Sequence, residues 1–276
     1  MQDRRPGSLA TIIIVASAFI SSMLSPEAIL TKARSHDRRI GIGAVEDVEK
    51  VEASASIANA ADYGKVKIYR DPDELIKALK SGELDAAVRG SLDSNAVMRA
   101  IKREFSVDHV LRMAILQPRV GKVFFFAPVG VDEGNSVEQK LELVTLGAKL
   151  MRQMGVEPKV GVLSGGRKGD QGRSAVVDRS LAEGEEVASK ANAMGVSARH
   201  AEILIEDAAK DCNMIIAPDG ISGNLIFRTL HFLGEGRALG AVVLNIDKVF
   251  VDTSRAKTSY IDSIALASAL VGSKKI

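Results

Sequence analysis

The sequence has one cysteine, Cys212, no tryptophan, and only 4% aromatic residues among 276. A single cysteine excludes an intramolecular disulfide. Lying just before an apolar run, it reads as a small core residue. Scarce aromatics leave little surface on which bases could stack. Charge of one sign is also lacking: the formal net charge is +2. There is no broad basic footprint, and no nucleic acid is expected as a partner. The four histidines, His36, His109, His200 and His231, are scattered. No histidine and cysteine cluster has the spacing of a zinc or corrinoid-cobalt site, so no metal is expected. No G-x-G-x-G follows the first strand to hold S-adenosylmethionine. Gly41-x-Gly43 has Glu46 where a dinucleotide fingerprint needs its third glycine, and it reads as a tight turn.

What is present is ordinary for a globular chain: 46% hydrophobic and 26% charged residues. The length allows one large domain or two modest ones. At the start, Arg4 and Arg5 precede an apolar stretch from Leu9 to Leu24, which resembles a short signal peptide or anchor. Ser17, Ser21 and Ser22 interrupt it, it is short for a membrane span, and no clear cleavage site follows. We read residues 1–22 as an extension and Met23 as the true start, with Pro26 opening a helix. The expected location is the cytoplasm.

Further on, apolar runs alternate with helical patterns. Strands are expected at Arg39–Gly43, Val66–Tyr69, Leu84–Val88, Val110–Leu116, Lys122–Ala127, Lys159–Leu163, Asn213–Ala217, Ala241–Asn245 and Val249–Val251. Helices are expected over Ala44–Ala61 with Val45, Val48, Val51 and Ile57 on one side, from Asp71 as N-cap to Gly82, and from Ser94 to Arg103. Further helices are expected over Val137–Met154, Val176–Met194, Ala201–Lys210, Leu225–Phe232 and Tyr260–Val271. The alternation predicts an α/β fold with a mainly parallel sheet, in two lobes, with a domain boundary at Gln117–Gly121.

Four strand-to-helix joins carry polar groups. Pro218-Asp219-Gly220-Ile221-Ser222-Gly223-Asn224 offers side-chain hydrogen bonds, glycines that admit a close approach, and unpaired amides at a helix start that favour an anion. An ordinary turn with Asn224 as N-cap fits equally. Arg89-Gly90-Ser91 brings an arginine suited to an anion, or simply a surface one. Ser164 to Ser174 is the most glycine-rich and basic loop. It is similar to a phosphate cradle without the P-loop register, and its composition also suits a flexible loop. Asp252 to Ser259 places Ser254, Arg255 and Lys257 at the last join.

These motifs resemble a known group. Pro218-Asp219-x-x-x-Gly223-Asn224 resembles the P-D-x-x-x-G-N of phosphate acetyl- and butyryltransferases and is similar to the G-x-x-G-N of the PlsX acyltransferases. Val251-Asp252-Thr253-Ser254-Arg255 resembles their V-N-D-L-S-R run. Lys159 to Gly166 is similar to their strand and serine loop, and Ala86 to Ser94 to their early phosphate-side loop. More narrowly, Ser164-Gly165-Gly166-Arg167 with Gly169-Asp170, Gly172-Arg173 and Asp178-Arg179-Ser180 resembles the MtxX family of methanogens, which carries the label of a methyltransferase subunit and methanogenesis marker.

The resemblance implies a two-lobed αβα three-layer fold of the phosphate acetyltransferase and isocitrate-dehydrogenase-like kind. Lobe one would be 23–118 plus 245–276, and lobe two 119–244. It implies acyl transfer between a thiol and phosphate, with Arg255 on phosphate, Ser254 beside it and Asp262 as base after one insertion in the alignment. It also implies an anion-binding set of Asp219, Gly223, Asn224, Ser164, Gly165, Arg167, Arg173, Arg89 and Ser91. Coenzyme A or another phosphate-bearing ligand is the expected small anionic partner. Methyltransferase subunits and a homodimer are further expected partners. The basic loop and Ala256-Lys257 after the S-R pair depart from the acetyltransferase pattern. A methyltransferase subunit or associated protein, and a non-catalytic anion-binding protein, stand as alternatives.

Overall fold

Strands whose residues are apolar on both faces must be covered on both faces. The computed structural model describes residues 25–34 and 37–271; the expectations for residues 1–22 and a start at Met23 lie outside them. Its strands are β1 (Arg39–Gly43), β2 (Lys65–Tyr69), β3 (Ala86–Val88), β4 (Arg112–Gln117), β5 (Phe124–Ala127), β6 (Val160–Leu163), β7 (Ala198–Glu202), β8 (Met214–Ile216), β9 (Arg237–Val243) and β10 (Val249–Asp252). They form one sheet in the order β2-β1-β3-β10-β9-β4-β5-β8-β6-β7. Pairing is parallel from β2 to β10 and again from β5 to β7, and antiparallel where β9 and β4 join the two groups. The fold is therefore α/β with a mainly parallel sheet, as the alternating pattern predicts.

The helices are α1 (Pro26–Ala33), α2 (Val48–Ala60), α3 (Pro72–Ser81), α4 (Ser94–Phe105), α5 (Val137–Gln153), α6 (Ala175–Ala193), α7 (Ile205–Asp211), α8 (Gly220–Arg228) and α9 (Ile261–Val271). The caps follow sequence chemistry. The Asp71 carboxylate accepts from the amides of Asp73 and Glu74, and Gly82 closes α3 with φ +83°, a left-handed turn that glycine adopts without a side-chain clash. Helix α9 is buried from Ser263 to Leu270, and its small residues let it lie close against the sheet. A helix apolar all round belongs in an interior. No helix among the described residues is long and apolar enough to cross a membrane.

Several boundaries differ from expectation, among them strand β9, which runs Arg237–Val243 rather than Ala241–Asn245. Helix α2 starts at Val48, and Val45 and Ile57 are exposed; the buried face is Val51, Ser54, Ala55 and Ala58. Residues 44–47 are instead a turn, in which the Ser91 hydroxyl accepts from the amides of Val45 and Glu46. The span expected as a helix from Ala201 begins as the end of strand β7, paired with β6, and only then turns into α7. Edge pairing with β6 overrides weak local helix preference there. Helix α8 begins at Gly220, five residues before the expected Leu225. Its N-cap is Asp219, whose carboxylate accepts from the Ser222 amide at 2.8 Å. A π-helical turn, Thr229–Leu233, follows it.

Candidate functional site

A charged side chain inside an apolar strand needs a partner, because an isolated buried charge is expensive. Two such residues, Arg112 at the start of β4 and Asp252 at the end of β10, meet where the two parallel groups join. Arg112 Nη1 lies 2.7 Å from Asp252 Oδ2. Arg89, just past β3, pairs with Asp252 Oδ1 and donates to the Leu92 carbonyl at 2.9 Å. Arg112 also pairs with Glu133 through Nε. All four are nearly buried, at 2–8% exposed. Burial opposes the charge on Asp252, but Arg89 and Arg112 outweigh it and hold the carboxyl below its usual range. Burial pushes the Glu133 carboxyl upward, opposed by Arg112.

Beside this chain of charges lies a small open-mouthed cleft of about 170 Å³. Its walls include Arg89, Arg112, Asp252, Ser254 and Lys257 on one side and Asn224, Phe227 and Arg228 of α8 on the other. Arg89 Nη2 has no partner among the described residues. The Asn224 amide donates to the Val129 carbonyl at 2.7 Å, which fixes the side chain at the rim. Lys257 is 8% exposed and donates to the Ala238 carbonyl at 2.7 Å and Ser263 Oγ at 3.1 Å. The buried lining thus holds three cationic side chains, Arg89, Arg112 and Lys257, against Asp252, with Glu133 behind. Fixed donors around an excess of positive charge suit a small anion.

Of the residues singled out in sequence, Arg89, Asn224, Ser254 and Lys257 share this hollow. Arg255 is exposed and bonds Glu46 at 2.9 Å. Asp262 is gripped by Arg237 through two hydrogen bonds of 2.8 Å. Ser91 serves the 44–47 turn. Asp219 caps α8, and Gly223 packs against backbone: a Cβ there would lie 2.0 Å from the Pro128 carbonyl oxygen, and one on Gly220 1.9 Å from that of Gly130. The close approach anticipated for a ligand is made by the protein's own chain. Asp219→Ala is accordingly expected to cost about 1 kcal/mol as a lost cap, lowering the melting temperature while leaving the response to added phosphate unchanged; a lost phosphate response would make Asp219 a ligand group.

Ser164, Gly165, Arg167 and Arg173 lie on the loop after β6 and do not line the cleft. Ser164 Oγ is 2.9 Å from His200 Nε2, and His200 Nδ1 is 3.2 Å from Glu185. This has the order of a nucleophile relay, but Ser164 is 1% exposed and also bonds the Gly166 carbonyl, so it anchors the loop. The Gly165 amide donates to the Ser180 hydroxyl, and the Arg167 amide donates to Asp170, which also pairs with Arg173. Sequence reasoning missed Arg112, Glu133 and Arg228. The available signal was a lone charge within an apolar run, Val110 to Leu116.

No family model matches the chain. A protein of Methanosarcina mazei named "Putative methyltransferase mtx subunit X" is 44% identical over 263 residues, covering 88% of this chain and 94% of that one. Among solved structures, the EutD phosphotransacetylase from Staphylococcus aureus aligns with a TM-score of 0.65 at 16% identity, over 91% of this chain and 99% of that one. A branched-chain phosphotransacylase from Enterococcus faecalis aligns with a TM-score of 0.68 at 14% identity, over 85% and 99%. At that identity the likeness concerns the fold.

Proposed function

The chain belongs to the mtx subunit X family, and we propose that its cleft binds a phosphate-type anion and transfers an acyl group between that phosphate and a thiol. The observation that carries this reading is the convergence of Arg89, Arg112 and Lys257 with Ser254 and Asn224 on one open hollow. Arg89 and Arg228 would grip phosphate oxygens, and the Ser254 hydroxyl and Asn224 amide would orient the carbonyl. Asp252 holds Arg89 and Arg112 in place, so their donors are set before the anion arrives. Arg255 would have to leave Glu46 to join them, and Asp262 would have to leave Arg237. The fold shared with phosphotransacylases supports the same chemistry. The reading divides the chain into lobe one, 23–118 plus 245–276, and lobe two, 119–244. Cleft walls drawn from both ranges support that division.

The test is phosphate-dependent exchange between acyl phosphates and acyl-coenzyme A, across several acyl chains. Arg89→Gln is expected to lower kcat/KM by about 100-fold or more, the usual cost of losing one aimed donor. Absence of exchange by the wild-type protein with every chain length would reject acyl transfer. The relatives' name favours a second reading, a subunit that works within a methyltransferase assembly. Co-purification of methyltransferase subunits with the tagged native protein, in a cell that shows no acyl exchange, would favour it.

A further inference from the structure

We propose that Lys257 is the residue that takes the proton from the attacking thiol, in the position that the family resemblance gave to Asp262. This rests on the acyl-transfer reading of the same cleft. Asp262 is occupied on both oxygens by Arg237, which leaves it a poor base. Lys257 borders the cleft and makes no ion pair among the described residues. Its hydrogen bonds define a direction. Ser263 Oγ donates its own proton to the Leu239 carbonyl at 2.5 Å, so toward Lys257 it can only accept. The Ala238 carbonyl can only accept as well. A neutral amine has two N–H bonds and one lone pair. Both N–H bonds are spent on these acceptors, and the lone pair is left for a third direction, in a residue that lines the cleft. When protonated, the amine presents its third N–H there instead. Lys257 can therefore move one proton along one line without rearranging its anchors.

Burial pushes the Lys257 ammonium down to about 8; Asp262 pulls the other way, and Arg237 adds to the fall. The other charged or titratable groups that bear on it are His231 of the π-helical turn, Arg228 across the cleft, and Asp252, Arg89 and Arg112 on its own wall. The step balances. The thiol S–H bond breaks and its proton goes to Lys257 Nζ. The sulfur attacks the acyl carbon of an acyl phosphate, forming C–S, and the C–O bond to phosphate breaks with its electron pair on oxygen. The ammonium then returns the proton to the departing phosphate, and the lysine ends as it began.

The experiment compares two thiols with acetyl phosphate as donor: coenzyme A, whose alkyl thiol is protonated near neutral pH, and an aryl thiol already ionised there. Lys257→Gln and Lys257→Met are made, and folding is checked by thermal melts. Loss of a general base typically costs 100- to 10,000-fold. The variants are expected to lose at least about 100-fold in kcat/KM with coenzyme A and less than about 10-fold with the aryl thiol. The wild-type rate with coenzyme A should rise with pH to a limb near 8 that both variants lack. Equal losses with the two thiols, or no loss with coenzyme A, would overturn the role of Lys257 while leaving acyl transfer standing. No transfer by the wild-type protein to either thiol would overturn both.

Discussion

Asp252→Ala is expected to lower the melting temperature by roughly 6–20 °C, because removing one partner of a buried pair costs about 3–5 kcal/mol and each kcal/mol shifts a protein of this size by about 2–4 °C. The carboxylate holds Arg89 and Arg112 at once, so its loss leaves two buried cations short of a counter-ion. Arg112 keeps Glu133, and Arg89 keeps only the Leu92 carbonyl among the described residues. Acyl exchange should fall with it, since neither guanidinium then has a fixed orientation. The pH dependence has a definite sign. The folded carboxyl titrates below its unfolded value of about 3.9. Its ionisation therefore stabilises the fold above that value, and the contribution is lost as pH falls through the lower folded pKa. The melting gap between wild type and Asp252→Ala should be full near neutrality and shrink in acid below about pH 4. A gap that widens on acidification, or a variant that melts with wild type, would mean that Asp252 is not the counter-ion that stabilises the buried arginines.

This network also marks how far the sequence could be read. The strands were legible because parallel strands covered on both sides are continuous apolar runs, such as Met214-Ile215-Ile216 and Val249-Phe250-Val251. Caps with one dominant chemistry, such as Asp71 before Pro72, were legible too. The turn 44–47 was not, since the hydroxyl that holds it comes from Ser91, remote in sequence. Strand β7 was not, since Ala198-Arg199-His200-Ala201-Glu202 has no alternation and owes its form to pairing with β6. The site divided in the same way. Arg89, Asn224 and Ser254 stand at strand-to-helix joins, where local pattern predicts polar groups near a crevice. Which of those groups face the crevice depends on partners. Glu46 draws Arg255 outward, Arg237 occupies Asp262, and Asp252 pulls Arg112 inward from a strand that reads as plain core. Ion pairs between distant positions leave no periodic trace.

Gly223→Ala is expected to damage both stability and exchange. The added methyl would stand 2.0 Å from the Pro128 carbonyl oxygen, which is backbone and cannot swing aside as a side chain would. Relief requires α8 to move away from residues 128–130. Overpacking of this kind typically costs about 1–3 kcal/mol, and the displaced helix carries Asn224, Phe227 and Arg228, one whole wall of the cleft. A misplacement of about 1 Å in a positioning wall can cost about 100-fold in rate. The measurable signature is a melting point lowered by several degrees together with a kcat/KM for exchange lowered by about 100-fold. Gly169→Ala, in the basic loop and with nothing within 4 Å of the added methyl, is the matched control and should leave both quantities near wild type. If Gly223→Ala melts lower but exchanges at the wild-type rate, helix α8 is a structural support whose exact seat does not matter to the anion. The cleft would then be organised from the Arg89 and Lys257 side alone.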